Sequence, residues 1–102
     1  MKYRISEKAI SDLEHIWLYT LRKWSKEQAD RYHNLIINEI EYCISHYELT
    51  RKVDHIRSGY RVSKVKSHLI FFKKSNDNII EIIRILYQRI DAENWLKSGG
   101  EK

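Results

Sequence analysis

The chain has 102 residues, of which 42% are apolar, and its formal net charge is +5 at pH 7. This length and composition exclude a disordered or fibrous chain, and they predict a single domain over residues 1–97 with a flexible tail at residues 98–102. The positive charge favours an acidic partner such as nucleic acid, the ribosome or an acidic protein segment. The same charge is also compatible with the absence of an acidic partner, because many small soluble proteins are equally basic.

The single cysteine, Cys43, excludes an intramolecular disulfide and fits a reducing compartment. The first residues carry no apolar leader, and no stretch approaches the roughly 18 apolar residues of a membrane helix. We therefore expect a cytoplasmic protein that does not enter a membrane.

The first half of the chain predicts a strand followed by two helices. Lys2 to Ile5 alternates between polar and apolar side chains, which predicts a short strand, and Ser6 can cap the helix that follows. Ser25 begins a capping box that starts a second helix, so the first helix must end near Trp24. Two long helices with almost no linker must pack as an antiparallel hairpin. The apolar stripe of the first helix consists of Ile10, Leu13, Trp17, Leu21 and Trp24, and that of the second consists of Ala29, Tyr32, Ile36, Ile40, Cys43, Ile44 and Tyr47.

The second half predicts an antiparallel meander. Residues 48–58 have no clean period and are interpreted as a loop with room for one helical turn. Beyond the meander, Asp91 can cap a short helix that runs through Trp95. The predicted fold class is α+β, with an N-terminal strand, an antiparallel helical hairpin packed on a three- to four-stranded antiparallel sheet, and a short C-terminal helix. The three predicted strands are Tyr60 to Val65, Leu69 to Phe72 and Ile79 to Leu86, separated by turns at Lys66-Ser67 and Asn76-Asp77-Asn78.

The last of these strands has two apolar faces, which is typical of a central strand covered on both sides. Arg84 interrupts one of these faces. A charged side chain in that position needs an ion-pair partner, for which Asp91 and Glu81 are the nearby choices, or it serves a functional site. Strict alternation places Ile80, Ile82, Arg84 and Leu86 on one face and Ile79, Ile83 and Ile85 on the other.

Few residues could perform chemistry. Cys43 and His46 form one mixed pair at helical spacing, whereas a structural zinc site needs two close pairs of ligands. Because Cys43 lies on an apolar stripe, a buried cysteine is favoured over a metal ligand, and we expect no metal and no cofactor. The sequence holds no nucleophile elbow and no glycine-rich phosphate loop.

Aromatic and basic residues are better candidates for recognition. The aromatic residues assigned to the core, because they lie on helical stripes, are Trp17, Trp24, Tyr32 and Tyr47. Those placed at strand ends or beyond, where an exposed ring can contact a partner, are Tyr60, Tyr87 and Trp95. The basic residues of the sheet and its edges are Arg57, Arg61, Lys64, Lys66, Lys73, Arg84 and Arg89.

Several short motifs, taken in order and spacing, resemble one family. They are Leu13-x3-Trp17, WSKEQADRY at residues 24–32, IRSGYR at residues 56–61, SHLIFF at residues 67–72 and IIRILYQRID at residues 82–91. Together they resemble the ParE-type toxins of bacterial type II toxin–antitoxin modules, which belong to the RelE/ParE superfamily. The resemblance spans Tyr3 to Trp95.

The resemblance implies the same strand, helical hairpin and meander that the pattern predicts. It also implies an antitoxin similar to ParD, whose acidic C-terminal segment is disordered alone and wraps the toxin across the hairpin and the sheet. The implied target is DNA gyrase, trapped with cleaved DNA, with no catalytic residue in the toxin and no sequence-specific DNA binding by the toxin alone. The residues expected to bind the antitoxin or the target are Arg57, Tyr60, Arg61, His68, Arg84, Tyr87, Arg89 and Trp95.

One departure from the family keeps a second activity open. Tyr87 stands where the family usually carries histidine, and a tyrosine or histidine near this strand end resembles the ribosome-dependent mRNA endoribonucleases of the RelE branch. Such an enzyme needs a base, a stacking group and phosphate-binding cations that converge. Strict alternation places Glu81 and Tyr87 on the face opposite Arg84, which argues against an RNase. A third alternative is an inactive toxin that only binds its antitoxin. The plausible parts of an RNase site are Arg61, His68, Glu81, Arg84 and Tyr87.

Overall fold

Over the residues that the computed structural model describes, 2–54, 57–87 and 94–95, the chain forms one strand, two long helices and four further strands. A short 3-10 turn at Tyr47–Leu49 follows the second helix. The elements in chain order are β1 (Tyr3–Ile5), α1 (Glu7–Lys23), α2 (Lys26–Ser45), β2 (Arg51–Lys52), β3 (Tyr60–Val65), β4 (His68–Lys74) and β5 (Ile80–Tyr87).

Serine caps start both helices. The Ser6 hydroxyl accepts a hydrogen bond from a backbone N–H in the first turn of α1 at 3.0 Å, and the Ser25 hydroxyl does the same for α2 at 3.1 Å. Only Trp24 and Ser25 separate the two helices, so the chain reverses at once. Asp30 links the two helices, because its carboxylate accepts a hydrogen bond from Trp17 Nε1 of α1 at 2.9 Å. The same carboxylate accepts a bond from Lys26 Nζ of its own helix at 2.8 Å. The predicted antiparallel hairpin is confirmed.

The five strands form one mixed sheet in the order β1-β5-β4-β3-β2. Strands β3, β4 and β5 are the predicted antiparallel meander, with Val65 opposite His68 across a two-residue turn. The α+β class is confirmed, but the sheet has two features that the sequence analysis did not predict: β1 runs parallel to β5, and β2 adds an edge strand. Strand β2 has only two residues, which is too short for a periodic pattern.

A β-bulge interrupts the pairing of β5 with β4. Arg84 lies opposite Phe71 and Ile82 lies opposite Phe72, so Ile83 is the extra residue. The side chains therefore change faces at this point: Ile82 and Ile85 both pack towards the helices, whereas Ile83 packs on the other face. The strict alternation expected for this strand is correct up to Ile83 and wrong beyond it, because a bulge adds one residue to the two-residue repeat.

The residues that start α1 complete the outer edge of β5. The Ser6 N–H donates to the carbonyl of Ile82 at 3.0 Å, and the Ser6 hydroxyl donates to the carbonyl of Ile83 at 2.8 Å. Farther along, Asp12 Oδ2 accepts a hydrogen bond from the Ile85 N–H at 2.9 Å. Strand β1 pairs with only the first part of β5, from Ile80 to Ile82, so α1 takes over where β1 ends.

Both faces of the sheet are covered by apolar side chains, as predicted for β5. One cluster lies between the sheet and the helical hairpin. The second lies on the opposite face and includes Val53 from the loop after β2 and Trp95 from the chain end. The predicted stripe of α1 is only partly right, because Leu13 is buried whereas Ile10 is 46% and Trp24 is 68% exposed. Neither described helix is long and apolar enough to cross a membrane.

Several predictions for the second half of the chain fall partly or wholly on residues outside the described ranges. The segment from Glu48 to Ser58 holds the expected helical turn in addition to β2. The predicted C-terminal helix lies mostly outside the described ranges, which include only Asn94 and Trp95 there, so it stays a prediction. The tail at residues 98–102 and the Asp91 cap also lie outside them.

The contrast between Ile40, which is fully buried, and Ile10 on the outer side of α1 can be measured directly. We expect Ile40→Ala to lower the free energy of unfolding by about 2–5 kcal/mol, because it leaves a cavity in the main cluster. The same change at Ile10 should cost less than about 1 kcal/mol. Chemical denaturation followed by circular dichroism measures both, and equal losses would contradict the assignment of the buried face.

Candidate functional site

An open groove of about 930 Å³ lies between the helical hairpin and the turn that joins β3 to β4. We call it the aromatic groove. Helix α1 and its C-cap contribute Tyr19 and Trp24, and β5 contributes Tyr87 from the end of the sheet. These three rings are 62%, 68% and 46% exposed, in that order. The described residues that complete its lining are His15, Ile16, Thr20, Gln28, Tyr32, Lys66, Ser67 and His68.

His68 is held in this groove by rings from two other elements. A hydrogen bond of 2.7 Å joins Tyr32 Oη and His68 Nδ1, and the ring centroids of these residues are 5.5 Å apart. The Tyr32 hydroxyl also lies 3.2 Å from the carbonyl of Val65, and burial raises the pKa of this phenol. On the other side, the Tyr87 ring meets the imidazole edge-on at a centroid distance of 5.8 Å. The His68 ring therefore has a fixed orientation.

The bulge in β5 decides which residues share this face. Beyond it, Tyr87 pairs with His68 at the end of the sheet, on the helical side. Glu81 pairs with Lys73 instead, which in turn lies opposite Tyr60 of the other face. The expectation that Tyr87 shares a face with Glu81 is therefore wrong.

Arg84 forms an ion pair, but with neither of the expected partners. Its Nε and Nη2 donate to the two carboxylate oxygens of Asp12 on α1 at 2.9 and 3.0 Å. Both side chains are largely buried, with 21% of Arg84 and 13% of Asp12 exposed. A two-point contact of this kind holds a guanidinium in one orientation. The prediction that Arg84 has an ion-pair partner within the protein is confirmed. Asp91 lies outside the described ranges, and Glu81 lies beside Lys73.

Arg61 is buried and supports the backbone that follows α2. Only 7% of it is exposed, and its Nη1 donates to the carbonyls of Tyr47 at 3.0 Å and Thr50 at 2.9 Å. Its guanidinium also stacks on the Tyr47 ring at 4.4 Å from the centroid, and Nη2 lies 3.5 Å from Glu48. These contacts explain why a charged residue is tolerated inside β3.

Tyr60 and Trp95 belong to the second apolar cluster. Each is only 6% exposed, and the Trp95 ring packs at 4.9 Å from Phe71. Arg57, which is half-buried, covers both aromatic rings, with its guanidinium carbon 5.4 Å from the Tyr60 centroid and 5.2 Å from that of Trp95. The expectation that Tyr60 and Trp95 lie at the surface is wrong, because both rings cover the back of the sheet. Their contact with the antitoxin or the target stays a prediction.

The structure brings together four of the eight predicted binding residues, because His68, Arg84, Tyr87 and Trp95 line one open pocket of about 520 Å³. His68 and Tyr87 also line the aromatic groove, whereas Arg61 is buried inside the protein. Arg89 lies outside the described residues. The sequence analysis missed Trp24 and Tyr19 as exposed rings. Tyr19 lies off the apolar stripe of α1, and this position in the sequence could have indicated that its ring is exposed.

Cys43 is a buried core residue, as the sequence indicates. It is 2% exposed, and burial is the main cause that raises the pKa of its thiol to about 11. A hydrogen bond with Ser63 lowers this pKa, whereas the neighbouring Glu39 carboxylate raises it. Glu39 also accepts a hydrogen bond from Ser63. Within the part of the chain that the structure describes, no three side chains of the metal-binding types cluster together.

Known proteins match this chain over nearly its full length. The family model described as the ParE toxin of the type II toxin–antitoxin system parDE matches residues 3–92. The chain belongs to the ParE toxin family. The protein named Toxin ParE1 from Mycobacterium tuberculosis H37Rv is 32% identical over 95 residues, which cover 93% of this chain and 97% of that protein. Toxin ParE1 of Caulobacter vibrioides CB 15 is 34% identical over 94 residues, which cover 92% and 96%.

The fold is also found among solved structures. A chain from the structure described as "Chromosomal ParDE TA system from P. aeruginosa" superposes with a TM-score of 0.75 at 18% identity. The match covers 85% of this chain and 95% of that chain. This chain therefore shares a fold with a component of that system. Its family is that of the ParE toxins of type II toxin–antitoxin systems.

The ion pair of this ParE-family toxin can be tested through Asp12. We expect Asp12→Ala to lower the free energy of unfolding by about 1.5–3 kcal/mol, because it removes hydrogen bonds to a charged group and to the Ile85 N–H. The exposed Glu14 on the same helix provides the control, and its change to alanine should cost less than about 0.5 kcal/mol. A double-mutant cycle with Arg84→Met measures the coupling, and a coupling energy of zero would contradict the pairing.

The raised pKa of Cys43 predicts slow thiol chemistry. At pH 8 we expect the folded protein to react with a disulfide reagent at least about tenfold more slowly than the unfolded protein, because its thiolate is rarer and buried. The stabilising effect of the neutral thiol is complete below pH 9.0 and is lost as the pH rises towards about 11, since the unfolded thiol ionises first. Equal rates of modification in the two states would refute the burial of Cys43.

Proposed function

We propose that this ParE-family toxin acts by binding and not by catalysis, that its target is DNA gyrase, and that a ParD-like antitoxin silences it. One observation carries the non-catalytic part. Of the five side chains that could have formed an RNase site, His68, Arg84 and Tyr87 line one open pocket, but both guanidinium groups are already engaged. Arg84 forms a two-point ion pair with Asp12, and Arg61 is bonded to backbone carbonyls. Glu81 lies on the opposite face of the sheet, since it pairs with Lys73.

What remains beside Tyr87 supports the same conclusion. His68 and His15 are the groups in this groove that could accept a proton, and each has its Nδ1 in a hydrogen bond, with Tyr32 and with the Ser11 carbonyl respectively. An RNase also needs cations that hold the scissile phosphate, whereas Lys66 is the one cation of this groove among the described residues. The groove therefore resembles a binding surface more than an active site.

Membership in the ParE family, together with the resemblance of the whole chain to gyrase-directed toxins, supports the proposed gyrase target. We propose a cytoplasmic location for the same reason, since this target acts on DNA. Its net charge of +5 suits a complex that contains DNA, since positive charge on a toxin stabilises a gyrase–DNA intermediate through the phosphates.

The antitoxin is expected to present an acidic, amphipathic segment. The solved structure from P. aeruginosa is that of a ParDE system, which supports a ParD-like partner here. The surface suits such a segment, because exposed Arg51 of the edge strand lines one open groove together with exposed Leu49 and Tyr42. An acidic peptide that is disordered alone can bury apolar groups and neutralise cations together.

A supercoiling assay with purified gyrase tests this proposal. We expect the toxin to reduce supercoiling and to increase the fraction of cleaved DNA, because it traps the enzyme with broken strands. Addition of the protein encoded by the neighbouring reading frame should restore supercoiling. Tyr87→Phe serves as the internal comparison, since loss of one hydroxyl should leave gyrase inhibition largely intact.

The same preparation distinguishes the RelE-like alternative. Untouched supercoiling at a large molar excess of toxin would contradict the gyrase target. Cleavage of message in a translation extract, abolished by Tyr87→Phe, would contradict the non-catalytic mechanism and identify a ribosome-dependent endoribonuclease. Absence of both effects, together with tight antitoxin binding, would favour the third alternative, an inactive toxin that only binds its antitoxin.

A further inference from the structure

The aromatic groove presents an unusual amount of ring surface to solvent. Tyr19, Trp24 and Tyr87 are between 46% and 68% exposed and line one groove of about 930 Å³. Large aromatic side chains gain free energy when they leave water, and exposed apolar surface in one place marks an interaction site. By contrast, the aliphatic part of the described lining is limited to Ile16, which is half-buried.

The Tyr87 ring and the backbone of Trp24 are held in place before any partner arrives. Trp24 is the C-cap of α1, and its N–H donates to the carbonyl of Thr20 at 2.8 Å, which anchors its backbone. Tyr87 packs against the fixed His68 ring. Lys23 Nζ lies 5.9 Å from the centroid of the Tyr19 ring. Side chains that are ordered in advance lose less conformational entropy on binding.

The charge of the groove suits an anionic ligand. The described residues of its lining include Lys66, His15 and His68 but no carboxylate. Lys66 occupies the first turn position with φ of 55°, where asparagine or glycine would be less strained. The turn thus holds a positive charge at the border of the ring surface, within a chain whose net charge is +5.

We propose that the aromatic groove binds single-stranded nucleic acid without cleaving it. Bases stack on Trp24, Tyr19 and Tyr87, and Lys66 neutralises a backbone phosphate. Flat rings combined with a cation match the flat, anionic units of a single strand, and stacking of this kind tolerates any sequence. A duplex does not fit this description, because its bases are already stacked on one another. An acidic peptide matches the charge but not the predominance of exposed rings over aliphatic side chains.

This site does not depend on gyrase as the target, and either proposal can fail without the other. Fluorescence anisotropy with labelled oligo(dT) and oligo(rU) of about twelve nucleotides tests it, a length within the range that one small domain covers. We expect saturable binding by the intact toxin that weakens as salt is raised, because phosphate contacts release counterions. Quenching of tryptophan fluorescence should accompany it.

Three variants separate stacking from charge. Trp24→Ala and Tyr19→Ala should each weaken binding at least about fivefold, because each removes one stacking ring. Asparagine tolerates the left-handed conformation at this turn position, so Lys66→Asn should preserve the turn. It should reduce the dependence of oligonucleotide affinity on salt, because one phosphate contact is lost. Tyr42→Ala is the matched control, since Tyr42 is 54% exposed, stacks on His46 and lies outside the aromatic groove. It should change affinity by less than about twofold.

Thermal melting shows that each variant is folded, and the exposure of Trp24 and Tyr19 makes them suitable sites for substitution. Absence of an anisotropy change with both oligonucleotides at low salt would overturn the proposal. Equal binding by Trp24→Ala and the intact toxin would also overturn it, since charge alone would then explain the affinity.

A labelled peptide of alternating glutamate and leucine is the third probe. Its binding in a Trp24-dependent manner, without competition from either oligonucleotide, would assign the groove to an acidic protein segment and refute the nucleic-acid proposal.

Discussion

The hydrogen bonding of the outer edge of β5 is the constraint on which the rest of the structure depends. Strand β1 satisfies only the first part of this edge, and beyond it Ser6 and Asp12 take over the free backbone groups. An unpaired N–H or carbonyl inside a strand that is buried on both faces would cost as much as a lost hydrogen bond. One stretch of chain, from β1 into α1, therefore places the first helix on the sheet and closes the sheet at the same time.

The bulge at Ile83 follows from the same arrangement. It lies where β1 ends and where Ser6 and Asp12 begin to bond β5, so the strand changes its pairing partner and its side-chain faces together. Because of this change, Ile85 packs under the helices and Tyr87 reaches the aromatic groove beside His68. Arg84, opposite Phe71, is directed to Asp12 and is used for stability. A regular strand would have separated Tyr87 from the groove.

Burial divides the charged and aromatic residues between structure and recognition. Arg61, Arg84 and Arg57 share a role: each has its guanidinium against carbonyls, a carboxylate or aromatic rings of the protein. Two of the three tryptophans, Trp24 and Trp95, show the opposite division from the one their positions indicated. Trp24, on a helical stripe, is exposed, whereas Trp95, near the chain end, is buried on the back of the sheet. The face of the hairpin that packs on the sheet ends before Trp24, since α1 extends past the apolar cluster.

The amino-acid sequence by itself determined the features that depend on neighbouring residues. Ser6 and Ser25 cap the helices, the turn at Lys66-Ser67 joins β3 to β4, and the two apolar faces of β5 identify a central strand. The order of short motifs, read together, was also enough to indicate the ParE family. Only the tertiary structure decided the bulge in β5, the parallel pairing of β1 and the partner of Arg84. Asp12 and Arg84 are 72 positions apart, and no local pattern encodes a contact between residues that only the packing of α1 on the sheet brings together.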